Sequence, residues 1–191
     1  MHSAASAFHL PSPNPYMKKD SKFDYGASFA AKGANAMNTT FFVTKGIQLQ
    51  SANHSLEAQF LSFAAFLNST SSFHQRCMKK LGRALFFVDQ VANNDYKYSF
   101  LQGKSIKEKL IDAGATNLLV PGSLPMGCLP GYLTMFHKDD PMQYDDNNCL
   151  RGLNIFTRLH NDHLRQELME LTLEYPDVHI VYADYFYAFL V

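Results

Sequence analysis

Serine, histidine, cysteine and asparagine are the residues whose spacing in this chain invites a chemical reading. Ser28 lies in Gly26-Ala27-Ser28-Phe29-Ala30, one small residue away from the Gly-x-Ser-x-Gly elbow that presents a nucleophilic hydroxyl. Such an elbow needs a strand before it and a helix after it, and residues 17–24 make a poor strand. Ser28 is therefore not expected to be a nucleophile, and Ser123 has still less to recommend it. His160 and His163 lie three apart and could share one helix face. A metal ion needs more ligands and outer hydrogen-bond partners than two imidazoles, so no metal site and no cofactor are expected. His137, beside Lys138-Asp139-Asp140, reads as part of a solvated loop, and His179 as strand packing. The three cysteines, Cys77, Cys128 and Cys149, have no C-x-x-C spacing. They leave room for one disulfide and one free thiol, and not for a zinc cluster. Asn38, Asn53 and Asn68 each begin an N-x-[ST] sequon, and three within 70 residues point to glycosylation in a secretory lineage.

The stretch 118–130, LLVPGSLPMGCLP, is the most shaped part of the chain. An apolar run ends in Pro-Gly, and Pro125, Gly127, Cys128 and Pro130 then stiffen the backbone beyond it. This is a buried strand opening into a fixed loop at its C-terminal end, the edge of an α/β sheet where ligands bind. Residues 55–66 carry apolar side chains at helical spacing, and 84–91 open as a continuous apolar run suited to a covered strand. Residues 105–113 form a short helix that Ser105 caps and Gly114 ends. Residues 116–120 form a strand. Residues 148–173 form a long helix with Leu153, Phe156, Leu164, Leu168 and Leu171 in one apolar stripe. After Pro176, residues 178–183 form a further strand. Alternating strands and helices predict an α/β fold with a parallel sheet. Residues 1–22, rich in Pro, Ser and Lys, read as an irregular lead-in, with one domain over 23–191.

Composition sets the limits. In 191 residues, 47% are hydrophobic, and 17 basic side chains balance 17 acidic ones. This suffices for one core, and the neutral balance argues against nucleic acid as a partner. No apolar run approaches the about 18 residues needed for a membrane span. Residues 1–16 hold no apolar segment of the signal-peptide kind, so the chain's own localisation is left open. Tyr96, Tyr98 and Phe100 could line an entrance, although aromatics make up 14% of the chain and core packing is their default role.

The 118–130 segment closely resembles the LVPG-x-x-P-x-GC-x-P signature of plant GDSL-type esterase/lipases, in the SGNH hydrolase superfamily. Further matching blocks are NPYMKKDSKFDYGASFAAKGANAM, VANNDYKY, DDNNCLRGLNIFTRLHNDHLRQEL and YPDVHIVYADYFYAFL. The resemblance runs from about Leu10 to Val191 and is nearest to the alkaloid- and phenolic-ester branch. It implies a three-layer flavodoxin-like parallel sheet, incomplete here, and hydrolysis of carboxylic esters by a Ser-His-Asp mechanism. It also implies an oxyanion hole formed by the Gly33 N–H and the Asn94 side-chain amide. Asp95 would hold the Asn94 loop. The chain departs from the pattern at Lys32, at Ala92 and Asn93 where the family has two glycines, and at Asn148 in place of another. Cys128 and Cys149 become a candidate disulfide, with connectivity left open by sequence.

The resemblance also exposes what is missing. The 191 residues contain neither the Gly-Asp-Ser-Leu block nor an Asp-x-x-His block, so the chain is expected to be truncated at both ends and inactive. The helix over 105–113 is shorter than the family's, as if a segment were dropped. A family that is secreted and acts on small-molecule esters is implied. The competing readings are a non-catalytic ester-binding module, with Tyr96, Leu124 and Met126 around its pocket, and a non-functional truncated product.

Overall fold

The computed structural model describes residues 2–18, 20–31, 55–70, 79–88 and 106–191. These fall into two compact units, Met1–Thr116 and Asn117–Val191.

In the first unit, helix α1 spans His2–Ala7, and the short strands β1 (Asn14–Pro15) and β2 (Ala27–Ser28) pair in parallel. The lead-in predicted over 1–22 is thus not irregular throughout. Tyr16 N–H donates to the Ser28 carbonyl at 2.8 Å, and the Asn14 amide donates to the Lys22 carbonyl at 2.8 Å. Those bonds give a Pro-rich segment the partners that propensity alone withholds. Helix α2 (Leu56–Thr70) starts where the Ser55 hydroxyl accepts from Ala58 N–H at 3.2 Å, an N-cap. Its Phe63 and Phe66 meet Phe29 edge-on at 5.6 and 5.7 Å, and Phe63 meets Phe86 of β3 (Phe86–Phe87) at 5.7 Å. Edge-to-face geometry of this kind adds to area burial. Helix α3 (Ile106–Asp112) falls within the predicted 105–113, and the expected cap Ser105 lies outside the described residues. It closes in a Schellman motif: Ala115 N–H reaches the Leu110 carbonyl and Gly114 N–H the Ile111 carbonyl, with Gly114 at φ 103°.

The second unit is a β-α-β crossover. Strand β4 (Asn117–Pro121) pairs in parallel with β5 (His179–Ala183), Asn117 opposite His179 through Pro121 opposite Ala183. Leu118 and Val120 point into the core. Between the strands come a 3-10 turn (Met126–Cys128), α4 (Pro130–Met135), a second 3-10 turn (Pro141–Gln143) and the long helix α5 (Arg151–Glu174). At 24 residues, α5 runs about 36 Å. Helix α6 (Tyr185–Leu190) follows, capped by the Asp184 carboxylate accepting from Tyr187 N–H. Parallel strand pairs with flanking helices make the chain α/β, consistent with an incomplete flavodoxin-like SGNH sheet.

The apolar stripe expected on α5 holds at Leu164, Leu168 and Leu171 and fails in the first half of the helix. The buried face of α5 is Asn154, Thr157, Asn161, Leu164, Leu168 and Leu171, whereas Phe156 is 40% exposed and Leu153 half-buried. The true stripe repeats at intervals of three and four without a break. It is polar in its first half and apolar in its second, so counting only apolar residues displaced it by about one position.

Candidate functional site

The loop leaving β4 turns inward. Pro121, Gly122, Ser123, Pro125, Met126 and Gly127 are all buried. Irregular backbone that is buried must find partners away from water. Gly122 N–H continues the sheet ladder to the Ala183 carbonyl at 2.9 Å. Three side chains of α5 take up most of the rest. Asn161 grips Ser123 from both sides, its Oδ1 accepting from Ser123 N–H at 2.8 Å and its Nδ2 donating to the Ser123 carbonyl at 3.0 Å. The Thr157 hydroxyl accepts from Met126 N–H at 3.4 Å and donates to the Leu153 carbonyl. Asn154 Oδ1 accepts from Gly127 N–H at 2.9 Å, and its Nδ2 donates to Asp145 Oδ2 at 2.9 Å. Residues 154, 157 and 161 lie on one helix face, so one helix sets the register of the whole loop.

Two glycines are required by close approach. A Cβ on Gly127 would meet the Leu150 carbonyl and lie 2.8 Å from Asn154 Oδ1. A Cβ on Gly122 would collide with the Tyr182 hydroxyl. That hydroxyl is buried with no hydrogen-bond partner among the described residues, and burial raises its pKa against the opposing charge of Arg165, with Asp184 adding to the rise. Arg165 stacks over the Tyr182 ring at 4.7 Å and binds Asp184 at 2.6 Å and Asp162 at 3.3 Å. These charges together raise its pKa against the slight burial that lowers it.

The loop is closed on itself at its far end. Cys128 and Cys149 are joined by a disulfide with their Cα atoms 4.5 Å apart, and Leu150 N–H donates to the Gly127 carbonyl at 2.9 Å. The Asp145 carboxylate accepts from the Asn147 and Cys149 N–H groups at 3.1 Å each. Slight burial raises its pKa, but the bond from Asn154, the two N–H groups and nearby Arg151 outweigh this and lower it. Asn148 makes the turn at φ 57°, the left-handed region where Asn is the non-glycine residue best tolerated. Its replacement of the family's glycine therefore leaves the turn intact.

The remaining candidates scatter. Gly33, Asn94, Asp95, Asn38, Asn53, Cys77, Tyr96, Tyr98 and Phe100 lie outside the described residues. Asn68 is exposed near the end of α2. Ser28 sits in β2, and the described residues after it, 29–31, are not helical, so no nucleophile elbow forms there. Ser123 is buried with its backbone held by Asn161. Met126 is also buried, and Leu124 is half-buried. His163 is exposed, its Nδ1 2.7 Å from the Leu159 carbonyl, and His160 is half-buried. Among the described residues, no three His, Cys, Asp or Glu side chains gather as a metal site would need. His137 is exposed beside Tyr144 and Asp139. His179 is exposed at the first position of β5, where the strand enters the sheet from solvent, contrary to the packing role expected. Among the described residues, no helix is long and apolar enough to cross a membrane. Sequence reasoning missed Asn154, Thr157 and Asn161 as loop holders. Their unbroken spacing with Leu164, Leu168 and Leu171 was the available signal.

No family model matches the chain. It is, however, 36% identical over 94% of its length to a GDSL esterase/lipase of Arabidopsis thaliana. It is 34% identical over 96% of its length to acetylajmalan esterase 1 of Rauvolfia serpentina, and 36% over 93% to sinapine esterase of Brassica napus. It spans 59%, 52% and 51% of those three proteins respectively. Over nearly all of its own residues, and with the signature loop built as described, the chain belongs to the plant GDSL esterase/lipases.

Proposed function

We propose that this chain is the loop-bearing and oxyanion-donating portion of a carboxylic-ester hydrolase of the Ser-His-Asp kind. Gly33 N–H and the Asn94 side-chain amide are its oxyanion donors. A backbone donor there must be glycine so that the chain can approach the reacting carbonyl, and a carboxamide donates without titrating. The observation that supports this best is the match of loop 118–130 to the family signature, together with its rigid attachment to α5. The names of two relatives, an acetylajmalan esterase and a sinapine esterase, favour a small-molecule ester as substrate.

The nucleophilic Ser, the base His and its Asp are not among these 191 residues under this reading, so the chain alone is inactive. Hydrolysis of p-nitrophenyl acetate by the chain is expected to equal that of buffer. A chimera supplying the Gly-Asp-Ser and Asp-x-x-His blocks of a relative should hydrolyse it, and Asn94→Ala in that chimera should lower kcat by about 10²–10³. Turnover by the chain itself, with a serine-directed covalent label on Ser28, overturns the reading. The parent lineage is secreted and glycosylated at Asn38, Asn53 and Asn68. Expression through a secretory route followed by glycosidase digestion should shift the mass of the chain, and no shift refutes that part.

A further inference from the structure

Every residue from 130 to 148 is exposed or half-buried, whereas the residues that flank this excursion, Gly127 on one side and Cys149 and Leu150 on the other, are buried. Helix α4 and the second 3-10 turn bury no side chain. The excursion leaves from the C-terminal end of β4, the edge of a parallel sheet where ligands bind. It presents Met135 and Met142 at 74% and 78% exposure, and Phe136 stacked on Tyr132 at 6.2 Å. Its outer part is fastened internally, with Tyr144 Oη accepting from Lys138 N–H at 3.0 Å.

Its two arms are joined at the base by the disulfide, by Leu150 N–H to the Gly127 carbonyl, and by Asn154, which holds Gly127 on one arm and Asp145 on the other. Only the disulfide is covalent. Once the hydrogen bonds break, it keeps the arms together and lets those bonds form again at high effective concentration. From this geometry we infer that residues 130–148 are a flap over the ligand edge whose opening is controlled by the redox state of Cys128–Cys149. Cys149 Sγ is shielded and Cys128 is the more exposed partner. A dithiol reductant attacks Cys128 as the thiolate, and Cys149 leaves as a thiolate that takes up a proton. The second thiol of the reductant then displaces Cys128. Two electrons and two protons pass to the protein, giving two cysteine thiols and an oxidised, cyclic reductant. The inference concerns the flap and does not depend on the hydrolytic reading.

Limited trypsin digestion of the whole chain, read by mass spectrometry with and without dithiothreitol, tests it. Alkylation of Cys128 and Cys149 verifies reduction. Cleavage after Lys138 is expected to rise by about tenfold or more on reduction, because a closed loop with a separation of 21 residues is released. Cleavage after Arg158 and Arg165 in α5 should change by less than about twofold, since that helix stays folded. The Cys128→Ser/Cys149→Ser double variant should behave without reductant as the reduced chain does. If that variant does not fold, the reductant titration on the unaltered chain decides. An unchanged rate at Lys138 with both thiols alkylated overturns the inference. So does an equal rise at Lys138, Arg158 and Arg165, which would make the disulfide a staple of the whole unit.

Discussion

Asn154 is the side chain of α5 that ties the loop after β4 to Asp145, and replacing it by alanine should be severe. The substitution leaves Gly127 N–H buried without an acceptor and removes the amide donor from Asp145. An unsatisfied buried donor costs about 1–3 kcal/mol, and a lost bond to a charged group about 1.5–3 kcal/mol. Asp145 keeps its two backbone donors and reaches solvent, so its loss falls at the low end of that range. The sum is about 2.5–4.5 kcal/mol for Asn154→Ala, a large share of the about 5–15 kcal/mol that a domain commands. Phe156→Ala provides the contrast. A sequence reader would place it in the apolar stripe and expect a core truncation of about 3–5 kcal/mol. Its 40% exposure reduces the expectation to about 1 kcal/mol. Urea unfolding followed by circular dichroism at 222 nm, with amide exchange of residues 122–150 as the local readout, ranks the two variants. Should Phe156→Ala prove the more damaging, or Asn154→Ala cost less than about 1 kcal/mol, the polar-ladder argument is wrong.

Gly127→Ala should lower stability by about 1–3 kcal/mol, since its Cβ meets the Leu150 carbonyl and Asn154, neither of which is a loose side-chain end. A urea midpoint within error of the parent would refute that contact. At position 148 the backbone conformation is the issue, so Asn148→Gly should be neutral or slightly stabilising and Asn148→Val should cost about 1–2 kcal/mol. Equal midpoints for the two would remove the argument. Asp145 has a lowered pKa in the folded chain, so the stability it contributes is present above the ordinary carboxylate value of 3.8 and is lost as pH falls below it through the folded pKa. Acid titration should therefore release protection of the 145–150 amides in that window, and Asp145→Asn should flatten the profile; a profile identical to the parent's would count against it.

Elements were legible where local chemistry and burial agreed. Helix α3 and its glycine stop, the strand at 117–121 and the long α5 all follow from periodicity, caps and breakers. The two-residue strands β1 and β2 were not legible, because they depend on pairing between segments a dozen residues apart rather than on propensity. The site was half legible. The Pro and Gly spacing of 118–130 marked a shaped loop, but the side chains holding it were hidden by the assumption that buried means apolar. Asn154 and Asn161 stand in the matched helix motif, but sequence alone assigns them no role. The burial of Met126 was not legible either, because a loop at a ligand edge carries no periodicity that marks its inward side chains.

The polar ladder arises from the kind of backbone that is buried. A helix, or a strand within its sheet, already has its N–H and C=O groups paired, so the element packed on its face needs only to be apolar. Leu164, Leu168 and Leu171 meet that requirement in the second half of α5. The loop after β4 has no such internal ladder. Two of its residues, Pro121 and Pro125, carry no N–H, which lowers the number of donors to be matched. Gly122 still reaches the sheet, and Cys128 and Leu129 bond back to Pro125 and Met126 in the 3-10 turn. Apart from the N–H of half-buried Leu124, what remains are the donors of the buried Ser123, Met126 and Gly127, and these are the three that Asn161, Thr157 and Asn154 accept. Leucine at those three helix positions would bury more apolar area, about 1.5–3 kcal/mol each. It would also strand three buried N–H groups at about 1–3 kcal/mol each, and the Ser123 carbonyl besides. The two effects nearly cancel in energy, but only the polar set has geometric requirements that fix the loop at one register. A loop that must hold one shape at a ligand edge is therefore better served by amides and a hydroxyl than by an apolar stripe.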